Sequence, residues 1–380
     1  MTTCSYPGGK PADDRGTWHS TRGNTDYRPS LDVLRIAAVI GVIGVHVLAG
    51  PVQAGEAGLP VVALRIALTV AAPLFLMITG ALTLGPGPHR AGAGAFLWRR
   101  VRRVVPALVF WSVFYLVVVL AWWSGEQLTP AALARRVIEG ETYTHLWFLW
   151  TVLAIYVIAP VLSGYLSASG HVAGAHGERQ RAWTVGVIWC SWAATVAALP
   201  LLTSGSAVGA ITPVTPGALT FALLYGGYCV IGRAVLLTDV PRYAAIASLI
   251  AAIGLLAILT CARWTQPPYG PEPSGMLALL APSYLNPLVM AASAALFLAV
   301  QGMLGSWLLE GSAASWLRSA GEATFGIYLV HFAVLVMLRE LGPLGSSQPW
   351  ALALLWLLTT VVSAGLVLLG RLIPVVRAVL

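Results

Sequence analysis

The sequence predicts an all-α fold: a polytopic integral membrane bundle of about ten transmembrane helices, with both termini cytoplasmic. Three observations carry that reading. Of the 380 residues, 58% are hydrophobic and only 9% are charged, where a soluble domain has about 25% charged. Apolar stretches of about 20 residues recur, parted by turns such as Gly85-Pro-Gly-Pro88 and Gln266-Pro-Pro-Tyr-Gly-Pro271. The basic residues are distributed unevenly between alternate loops.

The spans fall at 31–50, 61–84, 104–123, 146–166, 183–203, 217–237, 243–262, 284–308, 320–341 and 351–372. With the N-terminus inside, the outer segments carry Arg135, Arg136, Arg263 and Arg339, and Arg65 lies within the second span. All the other Lys and Arg of the 22 then face the cytoplasm. The net charge of +8 is thus largely a record of orientation, and no nucleic-acid partner is implied. Residues 1–29 are polar and rich in Gly, Pro and charge, with no signal-peptide h-region; they read as a disordered cytoplasmic tail. Residues 30–380 form the membrane-embedded domain, with no second domain expected after the last span. Segment 129–139 fits a short interfacial helix, capped by Thr129 with Pro130 in its first turn. Cys4, Cys190, Cys229 and Cys261 are scattered, without metal-ligand or disulfide spacing; no metal is expected.

Ionisable groups inside spans are costly and therefore usually functional. Arg35 and His46 share the first span. Eleven helical steps turn through about 1100°, so both lie on one face, roughly 16 Å apart along the axis. Arg35 sits at the cytoplasmic boundary and also suits a snorkelling headgroup contact. His46 sits in the outer half, where an imidazole can take a proton from a hydroxyl or bond a neighbouring helix. In Phe96-Leu-Trp-Arg-Arg-Val-Arg-Arg-Val-Val-Pro106, four arginines crowd the mouth of the third span. Guanidinium groups bind phosphate through forked hydrogen bonds, and they also fix topology. Arg65 lies in the outer part of the second span, placed to hold an acceptor, stabilise an oxyanion or snorkel. His145 stands at the outer end of the fourth span ahead of Trp147, an aromatic-belt residue, one turn from Glu141 if the helix starts early. Ser319 and Glu322 fit a capping box at the start of the ninth span, which sets His331 near mid-membrane.

These elements, in this order from Ser30 to Leu372, resemble the membrane-bound acyltransferase-3 family of bacterial O-acyltransferases. The marks are Leu31-Asp-Val-Leu-Arg35, the Arg35/His46 spacing, Pro73-Leu-Phe-Leu-Met-Ile-Thr-Gly80, and Arg100-Val-Arg-Arg103 before Pro106. They continue in Leu146-Trp-Phe-Leu with Tyr156 and Pro160, and in Phe325-Gly-Ile-Tyr-Leu-Val-His331. Val152 and Leu153 stand where many members carry adjacent glutamates, which looks like the branch of surface-antigen O-acetyltransferases. The resemblance implies transfer of an acyl group, acetyl above all, from cytoplasmic acyl-CoA to a hydroxyl of a glycan, lipid-linked sugar or secondary metabolite. It implies His46 as the catalytic histidine, with Arg35 in the same motif. Arg100 and Arg103 match its paired arginines and are assigned by charge to the CoA phosphates. Arg65, His145 and His331 are the residues expected to hold the acceptor. The expected location is the bacterial cytoplasmic membrane. Ten spans with sparse intramembrane charge also suit a transporter of a small natural product or sugar.

Overall fold

The computed structural model describes residues 27–168, 174–202, 217–218, 220–265, 280–307 and 309–380. The tail expected at 1–29 lies mostly outside these residues, as do Cys4 and the turn at 266–271. All regular structure among the described residues is helical.

The first span is one helix, α1 (Pro29–Gln53), opened by Pro29 in its first turn and by Asp32, whose charge suits a helix N-terminus. The second is broken. α2 (Leu59–Ala67) runs through a single 3₁₀ turn, Leu68–Val70, into α3 (Ala71–Thr83). Pro73 withholds the N–H that would close on the Thr69 carbonyl, so the helix tightens there. α4 (Ala93–Phe114) continues into a π-helical stretch, Tyr115–Trp123. α5 (Pro130–Glu139) is the short capped helix the sequence predicts: Thr129 Oγ1 accepts from the Ala132 N–H at 3.2 Å. α6 (Trp147–Ser167), α7 (Gly174–Leu202), α8 (Phe221–Leu236), α9 (Arg242–Trp264) and α10 (Pro287–Leu304) follow. The long α11 (Gly311–Arg339), α12 (Pro349–Gly370) and the one-turn α13 (Pro374–Arg377) complete the order.

By length and composition, nine helices among the described residues can cross a membrane, where about ten were expected. The difference is α8. It has 16 residues, about 24 Å of helix, short of a hydrocarbon core of about 30 Å. It needs no lipid-spanning length, because it is packed inside protein between α3 and α7. A Cβ at Gly80 of α3 would land on the Cys229 carbonyl of α8, and one at Gly232 of α8 on the Met77 carbonyl of α3. The two backbones touch, as small residues permit in membrane helix pairs.

α1 lies at the centre, against α11, α3 and α12. The outer helices turn apolar side chains outward, Ile250 at 65% exposure on α9 and Val361 at 57% on α12 among them. In water such a surface would be an aggregation hazard; here it is the face a bilayer covers. α11 corrects one expectation. It starts at Gly311, so Ser319 and Glu322 lie inside the helix and form no capping box. The polar run before Gly321 extends the helix beyond the apolar stretch instead of breaking it.

Candidate active site

Arg35 and His46 are carried by the unbroken α1 and reach different cavities. Arg35 lines a cavity of about 190 Å³ together with Arg100, Arg103, Tyr156 and Glu322. Its Nη1 donates to Asp32 Oδ1 at 2.8 Å, and Asp32 is only 5% exposed. A partly buried guanidinium is thereby held by an acid one turn away. α4 aims Arg100 and Arg103 at the same space. Arg100 lies over the rings of Phe96 at 5.4 Å and Tyr156 at 5.3 Å, and Arg103 over Phe325 at 5.7 Å. Flat guanidinium groups stacked on aromatic faces keep their forked N–H donors free for an anion. A neighbouring cavity of about 510 Å³ shares Arg103, Glu322 and Phe325, and adds Arg371 and Arg377 from the end of the chain.

His46 lines a third cavity, of about 210 Å³, with Arg65, His145, Gln53, Trp147 and Tyr284. Arg65 Nη1 donates to Thr69 Oγ1 at 3.2 Å, one turn along its own chain. It forms no ion pair among the described residues, and no carboxylate lines this cavity. The guanidinium therefore faces the cavity as an uncompensated positive charge.

Three imidazoles meet here. The His46 ring centroid is 5.5 Å from that of His331 and 6.4 Å from that of His145, and His145 and His331 are 5.0 Å apart. His331 stands behind His46 and does not line the cavity. Its Nδ1 lies 2.6 Å from the Tyr328 carbonyl, which fixes that nitrogen as the donor. Nε2 is left as an acceptor with no partner among the described residues. His145 is 1% exposed and stacks on Phe332, ring centroids 5.4 Å apart. Its ring nitrogens also lack partners of hydrogen-bonding geometry among the described residues. The nearby Leu329 carbonyl already accepts from Tyr115 Oη at 2.8 Å.

The position of His145 departs from the sequence reading. α6 begins at Trp147, so Glu141 and His145 share no helical turn. Gly140, at φ +70°, ends α5 and sends the following loop inward. Thr142 Oγ1 meets Ser112 Oγ at 2.9 Å, and Tyr328 Oη donates to the His145 carbonyl. A loop inside a bundle is tolerated only where its polar groups are satisfied this way.

The Arg100 cavity and the His46 cavity are adjacent. Phe75, Phe148 and Tyr328 line both. Their ring centroids are 6.0 Å apart for Phe75–Phe148, 5.4 Å for Phe148–Tyr328 and 6.5 Å for Phe75–Tyr328. The rings form a partition between an arginine-lined half and a histidine-lined half. Sequence reasoning did not single out Asp32, Tyr115, Tyr328 or Arg339 and gave Glu322 a structural role. Asp32, three residues before Arg35 on a predicted helix, was the one detectable from spacing.

No curated protein and no solved structure matches the chain. The family model described as the acyltransferase domain of the acyltransferase-3 group matches residues 28–370, from the start of α1 to the end of α12. The chain belongs to the acyltransferase-3 family and is a multi-pass membrane acyltransferase.

Proposed function

We propose that this enzyme transfers an acyl group, acetyl in the first instance, from acyl-CoA to a hydroxyl of a glycan or glycosylated metabolite, with His46 as general base. One observation carries the reading: two cavities in opposite halves of the bundle, one lined by arginines and one by His46, share a wall of three rings. The positive-inside bias supports a cytoplasmic position for the arginine half, on the side where acyl-CoA is made.

In this reading Arg100 and Arg103 hold the CoA phosphates, and guanidinium groups stacked on aromatic rings suit that role. The pantetheine arm passes Arg35 and brings the thioester to the ring partition. The roughly 16 Å rise from Arg35 to His46 is a span an extended arm can cover. The acceptor enters the opposite cavity. His46 takes the proton from its hydroxyl, and the oxygen attacks the thioester carbonyl. The C–O bond forms, the C–S bond breaks, and the thiolate leaves with the proton from His46. Arg65 faces the oxygen that becomes negative in the tetrahedral state. His331 packs behind the base and keeps water from its rear face, while His145 lines the acceptor cavity beside it. The partition delays contact between thioester and water until the acceptor is in place.

Purified protein in nanodiscs, supplied with radiolabelled acetyl-CoA, tests this. Wild type releases thiol and passes label to extracted acceptor. His46→Ala loses about 10²–10⁴ in rate, the usual contribution of a positioned general base. Unchanged label transfer by that variant would remove His46 from the reaction.

A further inference from the structure

α1 carries a proline close to its catalytic histidine. Pro51 has no N–H, so the helical bond that should close on the carbonyl four residues back, that of Val47, is missing. Val47 is fully buried, so no water replaces the lost donor, and an orphaned carbonyl is not tolerated at such a site. The replacement comes from another helix. Arg339, the last residue of α11, donates from Nη2 to the Val47 carbonyl at 3.2 Å and to the His46 carbonyl at 3.0 Å. A single guanidinium nitrogen thus holds both peptide oxygens at the histidine. The same helix places His331 against the His46 ring, centroids 5.5 Å apart. α11 therefore grips this residue twice, by its ring and by its backbone.

Read from the sequence alone, Arg339 is an outer-segment charge with a topological role. A charge that only fixed orientation would turn its guanidinium to headgroups, whereas this one reaches across to two main-chain oxygens of α1. We infer that Arg339 is a positioning residue for His46, supplying the hydrogen bond that Pro51 removes and thereby setting the depth and direction of the imidazole. This rests on His46 being the base. Arg339 itself touches neither thioester nor acceptor; it acts on the rate through the histidine it holds.

The dependence on Pro51 makes the inference testable by a double-variant comparison. Alanine at position 51 restores the missing N–H, so the need for Arg339 should fall. In the wild-type background, Arg339→Met is expected to lower kcat by about tenfold or more, through loss of its charge-assisted hydrogen bonds to the His46 and Val47 carbonyls, with the KM for acetyl-CoA unchanged. Arg339→Lys keeps a donor and should recover most of the rate. In the Pro51→Ala background, the loss on adding Arg339→Met should shrink to about threefold or less, since a backbone bond now does the same work. A second readout does not depend on turnover. Carbethoxylation of His46 by diethyl pyrocarbonate, followed on the peptide by mass spectrometry, should be faster in Arg339→Met and should return towards its background rate in the double variant. That measurement decides the inference even if no acyl transfer is found, because it reads the imidazole and not the reaction. An equal loss in both backgrounds, or an unchanged rate of His46 modification, overturns it. If Arg339→Met fails to fold alone, the double variant should fold; failure of both overturns it as well.

Discussion

Tyr115 inserts its hydroxyl into the hydrogen-bond ladder of α11 at Leu329. Its Oη donates to the Leu329 carbonyl at 2.8 Å and accepts from the Ala333 N–H at 3.2 Å, the two groups that an uninterrupted helix joins directly. Tyr115 stands where α4 passes into its π-helical stretch, and His331 lies between the two α11 groups it bridges. The irregular end of α4 thus meets α11 beside the imidazole cluster, and one hydroxyl bonds both groups on α11.

Tyr115→Phe removes that bridge and leaves a buried carbonyl and amide to find each other. The expected cost is about 1–3 kcal/mol of stability, with a fall in transfer rate through the displaced His331. Thermal unfolding in detergent, followed by near-UV dichroism, measures it. A Tm equal to that of the wild type would mean that α11 closes its own ladder and that Tyr115 is only packing.

The ring partition leads to a different expectation. Phe148→Ala opens the wall between the arginine half and the histidine half. Hydrolysis of acyl-CoA without acceptor should rise relative to transfer, because water then reaches the thioester through the gap. The truncation also costs about 3 kcal/mol, so the ratio of thiol release to label transfer is the quantity to follow. A ratio that stays at the wild-type value would show that the three rings separate nothing.

The contact between α3 and α8 fixes the frame behind Phe75. Gly232→Val forces a side chain onto the Met77 carbonyl, which belongs to backbone and cannot swing away. The loss of folded protein on fluorescence-detected size exclusion should be severe, at about 3 kcal/mol or more. Gly254→Val on α9, where nothing lies within 4 Å, is the control and should behave as wild type.

The sequence made the apolar helices legible because hydrocarbon imposes length and composition together. The Arg35/His46 pairing was legible because α1 has no break between those two positions, so helical geometry applies across it. α5 was read from Thr129 and Pro130, whose chemistry is local. Most of the failures concern partners that lie far away in the chain. Glu322 resembled a cap beside Ser319 because nothing local reveals that α11 already began at Gly311. His145 carries no periodic signal, since it sits in a loop that Gly140 turns inward and that Tyr328 and Ser112 receive. Arg339 resembled an outer charge because its use depends on Pro51, 288 positions earlier in the chain. Tyr115, in an apolar run, is indistinguishable from a lipid-facing tyrosine until α11 is beside it.

In the proposed reaction labour is divided: the arginine half would bind the donor and the histidine half would run the transfer. Titration of coenzyme A into wild type, His46→Gln and the Arg100→Gln/Arg103→Gln double variant tests it most directly. His46→Gln should bind coenzyme A as the wild type does while transferring no label. The double variant should bind about tenfold more weakly or worse, having lost two charge-assisted contacts. Undiminished binding by the double variant, or binding lost with His46 alone, would contradict the division.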